Sequence, residues 1–213
     1  MTKEDFTTIT NSINGAGSNA LPTHIIGENS RGTYLHPLES QAFENGDLHI
    51  LGDINDGHAQ GTIMLMREAA RKKKKLRLFI NSPGGSVTAG LAMLDAMTAY
   101  PYELSVFCTG LAASMGAVLL AGGRVGHRYI LPHSKVMIHE PLIAGGLGGS
   151  ATSIQRTAES IIETKKVLNS LLAKFTGRTV EEIDKCTAFD NFFNAEEAIE
   201  FGLCDKIATG YED

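Results

Sequence analysis

The sequence predicts an α/β fold with much parallel strand pairing. Short apolar runs, LHIL, LRLFI, LSVFC and KVMIH, alternate with helical stretches near 58–71, 88–99 and 115–121, and such alternation feeds parallel strands through helical crossovers. A later stretch carries Ile154, Ala158, Ile161, Leu168, Leu172 and Phe175 at three- and four-residue steps, the period of one long amphipathic helix. At 213 residues, 43% of them hydrophobic and 20% charged, the chain has the material for a single sizeable core.

Residues 1–46 are rich in Gly, Asn, Ser and Thr and lack apolar periodicity, so they are expected to form a partly disordered N-terminal arm ahead of a domain spanning 47–213. LHIL, from Leu48, opens that domain as a strand. The run Arg71-Lys72-Lys73-Lys74-Lys75 closes the first helix, where cations complement exposed carbonyl groups; in a chain of net charge −5 it reads as a solvated helix end, not a binding patch. LRLFI leads into Asn81-Ser82-Pro83-Gly84-Gly85, a strand-terminating turn before the helix near 88–99. Leu104–Cys108 is the next strand, followed by a Gly/Ala/Ser-rich turn and an apolar helix; KVMIH then runs as a strand to the stop at Pro141. One-sided apolarity means the long helix, about 151–175, needs a surface from its own chain or a neighbour. Thr179 with Glu182, and Asn194 with Glu197, match the pattern that caps a helix start, so two short helices close the chain.

Composition excludes several function classes. A pI near 5.8 supplies no general attraction for nucleic acid or an anionic membrane. No apolar run approaches the roughly 20 residues that span a bilayer, and MTKEDFTTITNS has no apolar core of the secretory kind, so a cytoplasmic protein is expected. Three cysteines, Cys108, Cys186 and Cys204, form no CxxC pair, and seven histidines include no HExxH. Buried thiols, no disulfide framework and no metal or other cofactor are expected. Chemistry is left to side chains.

Three strings carry it. Thr109-Gly110-Leu111-Ala112-Ala113-Ser114-Met115-Gly116-Ala117 places one serine among small residues between a strand and a helix. A hydroxyl there is presented outward while free N–H groups of the helix start, Met115 among them, can bind a developing oxyanion; turns of this composition also exist simply for close backbone packing. Gly84-Gly85 ends a strand with exposed backbone donors, and Gly85 admits a carbonyl close enough to be the second oxyanion donor. His139, at the end of Lys135–His139, lies 25 residues after Ser114, room for a helix and a strand before the chain returns. Ser114 needs a base, and histidine titrates nearest neutrality. The third member of a triad would accept from the other imidazole nitrogen. Asp190, between Phe189 and Phe192, is the candidate on the reasoning that a carboxylate among aromatics is buried and needs a partner; Asp184 and Asp205 compete. The order Ser, His, Asp and the alanine at 112 disfavour an α/β-hydrolase.

INSPGG at 80–85, AASMGA at 112–117, LP-x(3)-VMIH-x-P at 131–141 and EEAIEFGL at 196–203 resemble the proteolytic subunit of the ATP-dependent Clp protease, ClpP. The resemblance runs from about Leu48 to Ile207. It implies a crotonase-like superhelix of βα units with a protruding handle helix at about 151–175, assembled as two stacked heptameric rings, homo- or hetero-oligomeric, around enclosed active sites. An AAA+ unfoldase such as ClpX, ClpA or ClpC would use the ATP and feed in unfolded polypeptide for cleavage to short peptides. Ser114, His139 and Asp190 take the catalytic roles, Gly85 and Met115 N–H the oxyanion hole. Gly84 and the segment holding Ile143, Gly145 and Gly146 would bind extended substrate by backbone pairing.

Several positions depart from the family pattern. Leu111 and Glu140 stand where glutamines flank the nucleophile and base, and Phe189-Asp190-Asn191 replaces a charged Arg-Asp-Arg. With Arg77 and Phe79 on the strand where aromatics dock the unfoldase, these changes point to a divergent second isoform. The rival readings are a weakly active structural or regulatory ring requiring a partner ClpP, an acyl-CoA enzyme sharing the fold, and a Ser–Lys peptidase using Lys135.

Overall fold

The computed structural model describes residues 24–29, 32–142 and 148–210, and the chain divides after Asp47 into two units. In the first, β1 (His24–Asn29) and β2 (Gly32–Pro37) pair antiparallel with Ile26 opposite Leu35, and α1 (Leu38–Glu44) follows. Within the expected arm, the described residues 24–44 thus carry a hairpin and a short helix. HIIGEN and GTYLHP lack the strict apolar/polar alternation that marks a half-buried strand, so their backbone pairing left no periodic trace. Residues 1–23 of the expected arm lie outside the described residues.

The second unit is α/β. It runs β3 (Asp47–Leu51), α2 (Asp56–Arg71), β4 (Leu76–Ser82), α3 (Val87–Ala99), β5 (Leu104–Ala113), α4 (Met115–Ala121), β6 (Arg128–Ile130), β7 (Lys135–Ile138), α5 (Ala151–Thr176), α6 (Val180–Thr187), β8 (Asn191–Phe193), α7 (Ala195–Phe201) and β9 (Lys206–Ile207). Its seven strands form one sheet, ordered β3-β4-β5-β6-β9, with β7 also on β5 and β8 on β7. The β4–β5, β5–β6, β5–β7 and β6–β9 pairs are parallel, and β7–β8 is antiparallel. Caps set the helix starts: Asn55 accepts from His58 N–H at 3.0 Å, Ser86 from Ala89 N–H at 3.3 Å, and Thr179/Glu182 and Asn194/Glu197 each close a capping box.

Leu78, Ile80, Phe107, Leu119, Leu120 and Ile130 are fully buried, each contributing about 1.5–3 kcal/mol by leaving water. Cys108 and Cys204 are also buried, which pushes both thiols up to about 12. Only the second half of α5 buries residues, Leu168, Leu172 and Ala173, against this core; Ile154, Ile162 and Val167 stay exposed. Three of the five cations in the basic run form ion pairs, Arg71 and Lys72 with Glu68 at 3.0 and 3.4 Å and Lys75 with Glu103 at 2.7 Å. Among the described residues no helix is long and apolar enough to cross a membrane.

Arg128 ties the unit together. Its guanidinium grips Asp205 through Nε (3.0 Å) and Nη2 (2.6 Å), while Nη1 donates to the carbonyls of Ala121, Phe175 and Gly202 at 3.0–3.1 Å. One cation thus satisfies the C-terminal carbonyls of three helices. Burial alone would raise the Asp205 carboxyl; the Arg128 bond and charge outweigh it and hold the pKa below its ordinary value. A depressed folded pKa stabilises above the unfolded value of about 3.9 and ceases to do so as pH falls through the folded one. Asp205→Asn strands a buried cation and is expected to cost about 3–5 kcal/mol at pH 7; the gap from wild type, read by urea denaturation, should narrow below about pH 4.

Candidate active site

The site forms where β5 changes partner. Val106–Cys108 pair with β6, whereas Leu111–Ala113 pair with β7. At the crossover Gly110 has φ 118°, a backbone that a side chain resists. Its N–H donates to Ser134 Oγ (2.7 Å), which donates on to Cys108 O (3.1 Å), and Leu111 N–H donates to Asn81 Oδ1 (3.2 Å). Buried polar groups at the junction are thereby satisfied. Small Ala112 and Ala113 continue the strand, so β5 reaches Ala113, five residues past the expected end at Cys108.

Ser114 follows at φ 53° and ψ −120°, a strained conformation for a residue with a Cβ. Two contacts hold it: Ser114 N–H donates to Met137 O at 2.9 Å, and Gly84 packs underneath. A Cβ on Gly84 would lie 2.6 Å from Ser114 Cβ and 2.8 Å from Ala113 O. Gly84 N–H donates to Ser82 Oγ (3.0 Å) and its carbonyl accepts from Ile54 N–H (2.7 Å), so this glycine is a spacer beneath the serine. Ile54 bridges Gly85 in parallel, using Gly84 O and Ser86 N–H. The N–H of Gly85 therefore faces away from Ile54, while Met115 N–H belongs to a first helical turn and has no acceptor within its helix. Both residues line a pocket of about 220 Å³ that also contains Ser114 and His139.

The β7–β8 register places Ile138 opposite Asn191, so His139 and Asp190 meet one step further on. His139 Nδ1–H donates to Asp190 Oδ1 at 3.2 Å. The imidazole is 16% exposed, the carboxylate 63%. Asp190 is thus the aspartate on His139, but not by being buried among aromatics: Phe189 is 85% exposed and Phe192 also faces out. Asp184 and Asp205 are engaged elsewhere, the first by Lys165 and Asn169, the second by Arg128. Among the described residues no hydrogen bond joins Ser114 Oγ to His139. Lys135 pairs with Leu111, three residues short of Ser114, and is exposed outside the pocket. Ile143, Gly145 and Gly146 lie outside the described residues.

Beside the base, Glu140 N–H donates to Thr187 O (2.7 Å) and the Glu140 carboxylate meets Lys165 Nζ (2.9 Å). Lys165 also holds Asp184 at 2.9 Å, and hydrogen bonding to Asp184 and then Glu140 raises its pKa. Buried Asn169 completes the group, donating to Asp184 at 3.1 Å. A buried amide on the apolar side of an amphipathic helix is the one sequence signal that marks this cluster.

A strained serine and a histidine share one pocket, with two backbone donors on its wall and an aspartate behind the imidazole. That is the equipment of acyl transfer through a serine nucleophile. The family model described as Clp protease matches residues 30–210, which spans both the serine turn and the His139–Asp190 pair. The chain belongs to the Clp protease family, a family of serine-type peptidases.

Proposed function

We propose that this chain is the serine endopeptidase subunit of an ATP-dependent compartmentalised protease, cleaving unfolded polypeptides to short peptides. The observation that carries this is His139, which faces the pocket of Ser114 while its Nδ1–H is held by Asp190. Ser114 Oγ attacks the scissile carbonyl carbon as its proton passes to His139 Nε2, and Asp190 stabilises the imidazolium. The carbonyl oxygen, now an oxyanion, is received by Gly85 and Met115 N–H. The amine leaves with the proton from His139; a water activated by the same nitrogen then cleaves the acyl-enzyme. In this reading α5 is the handle joining two heptameric rings, and an AAA+ unfoldase spends the ATP.

One observation favours a dependence on partner subunits. Asp190 competes with water for His139 from a largely exposed position, and Ile154 and Ile162 on the first half of α5 are exposed among the described residues. A ring that reaches full activity only beside an active partner fits both.

A fluorophosphonate should label Ser114 in the assembled protein and leave Ser114→Ala untouched; no adduct even with partner subunits present would sink the enzyme reading. Asp190→Asn should lower kcat/KM for a fluorogenic peptide roughly 10²-fold with KM little changed, less than for a buried triad acid because water already shares this carboxylate. Gly84→Ala, forced against Ser114 at φ 99°, should reduce hydrolysis at least roughly 10²-fold. A melting curve should show a loss of about 1–3 kcal/mol for the same variant.

A further inference from the structure

His139 and Asp190 are carried by two segments that meet on either side of their contact. His139 follows β7 and Asp190 precedes β8, and three residue pairs of that ladder hold them from below. Above, Glu140 N–H reaches Thr187 O at the end of α6. Glu140 and Asp184 then both place a carboxylate oxygen 2.9 Å from Lys165 Nζ. Lys165 stands on α5, one turn before Asn169, which bonds Asp184 and receives Thr187 Oγ1 at 3.4 Å. One ammonium therefore anchors both the residue after the base and the helix leading to the acid onto the helix that supplies Leu168 and Leu172 to the pocket.

We propose that Lys165 is a positioning residue: by holding Glu140 and Asp184 together it keeps the ends of β7 and α6 in the register that brings His139 to Asp190. The proposal rests on the serine peptidase reading above. Isolated exposed ion pairs do little, but here one cation serves two carboxylates and a misplacement of about 1 Å at a reacting group is costly. The cation also offsets negative charge around the base. The charged and titratable groups about His139 are Asp190 before β8, Glu140 beside it, Asp184 on α6 and Lys165 on α5, so removing Lys165 leaves two carboxylates, Glu140 and Asp184, without the cation that holds them.

The test is the rate of fluorophosphonate labelling at Ser114 in the full assembled chain, followed across the pH range. Lys165→Met should slow labelling roughly tenfold and move the acidic limb upward by roughly half a pH unit, because uncompensated carboxylates favour the imidazolium. Lys165→Arg should recover most of the rate, Glu140→Gln combined with Lys165→Met should bring the limb back toward wild type, and Lys166→Ala, next along α5 and exposed, should change neither. A wild-type rate in Lys165→Met, or a slower rate with an unmoved limb, overturns the proposal, the second outcome meaning a merely structural role. Should Lys165→Met not fold, Glu140→Gln alone decides: loss of one anchor should slow labelling about threefold, and an unchanged rate overturns the proposal. Wild type that never labels instead removes the peptidase reading itself.

Discussion

The change of partner along β5 is the constraint on which the site depends. A parallel strand normally keeps one neighbour per edge, and its buried N–H and C=O groups must be met throughout. Here the edge shared with β6 ends at Cys108 and the edge shared with β7 begins at Leu111. Ser134 Oγ and Asn81 Oδ1 fill the gap from either side. Because the second partner is β7, Ser114 emerges beside Ile138 and next to His139. Had β5 stayed with β6, the serine would face the loop after Ile130 and no base would be near it.

The two halves of the site are built to different stiffness. On the nucleophile side, backbone is locked against backbone: Ser114 N–H on Met137 O, Gly84 and Ser86 on Ile54, and a glycine with no space for a Cβ under the serine. Strain of this sort persists only where surroundings over-determine it. On the other side the His139–Asp190 bond is a single 3.2 Å contact to a half-solvated carboxylate, with no bond from the imidazole to the serine. Backbone constraint is therefore concentrated around Ser114 and Gly84, and the His139–Asp190 pair rests on a single side-chain contact.

Much of this was legible in the sequence. LRLFI, LSVFC and KVMIH are mostly apolar runs because a parallel sheet is covered on both faces, and the capping pairs Thr179/Glu182 and Asn194/Glu197 marked the two closing helices to the residue. The strands β6, β8 and β9 were not legible. Each is two or three residues long, too short for a period, and exists only because a longer strand templates it. Asp190 was reached by a wrong physical route: the flanking phenylalanines implied burial, whereas β8 alternates its faces, sending Phe193 inward and Phe192 out. Which of three aspartates meets His139 depends on the β7–β8 register, and that is tertiary information. Asp205 is distinguished from Asp190 by Arg128, 77 residues away in sequence, and no local pattern encodes such a pairing.

The long helix links these parts. Its last turn gives Phe175 O to Arg128, its middle turns line the pocket through Leu168 and Leu172, and Lys165 and Asn169 hold the end of α6. Towards its start, Ile154 and Ile162 stay exposed among the described residues. An amphipathic helix gains most of its stability from packing its apolar face, so a partner settling on the uncovered stripe stabilises the element that also positions the base and the acid. On the proposed function, binding energy at one end of α5 and order at His139 are then two readings of the same helix, which would reconcile an exposed Asp190 and the missing serine–histidine bond of the lone chain with a complete triad in the proposed assembly.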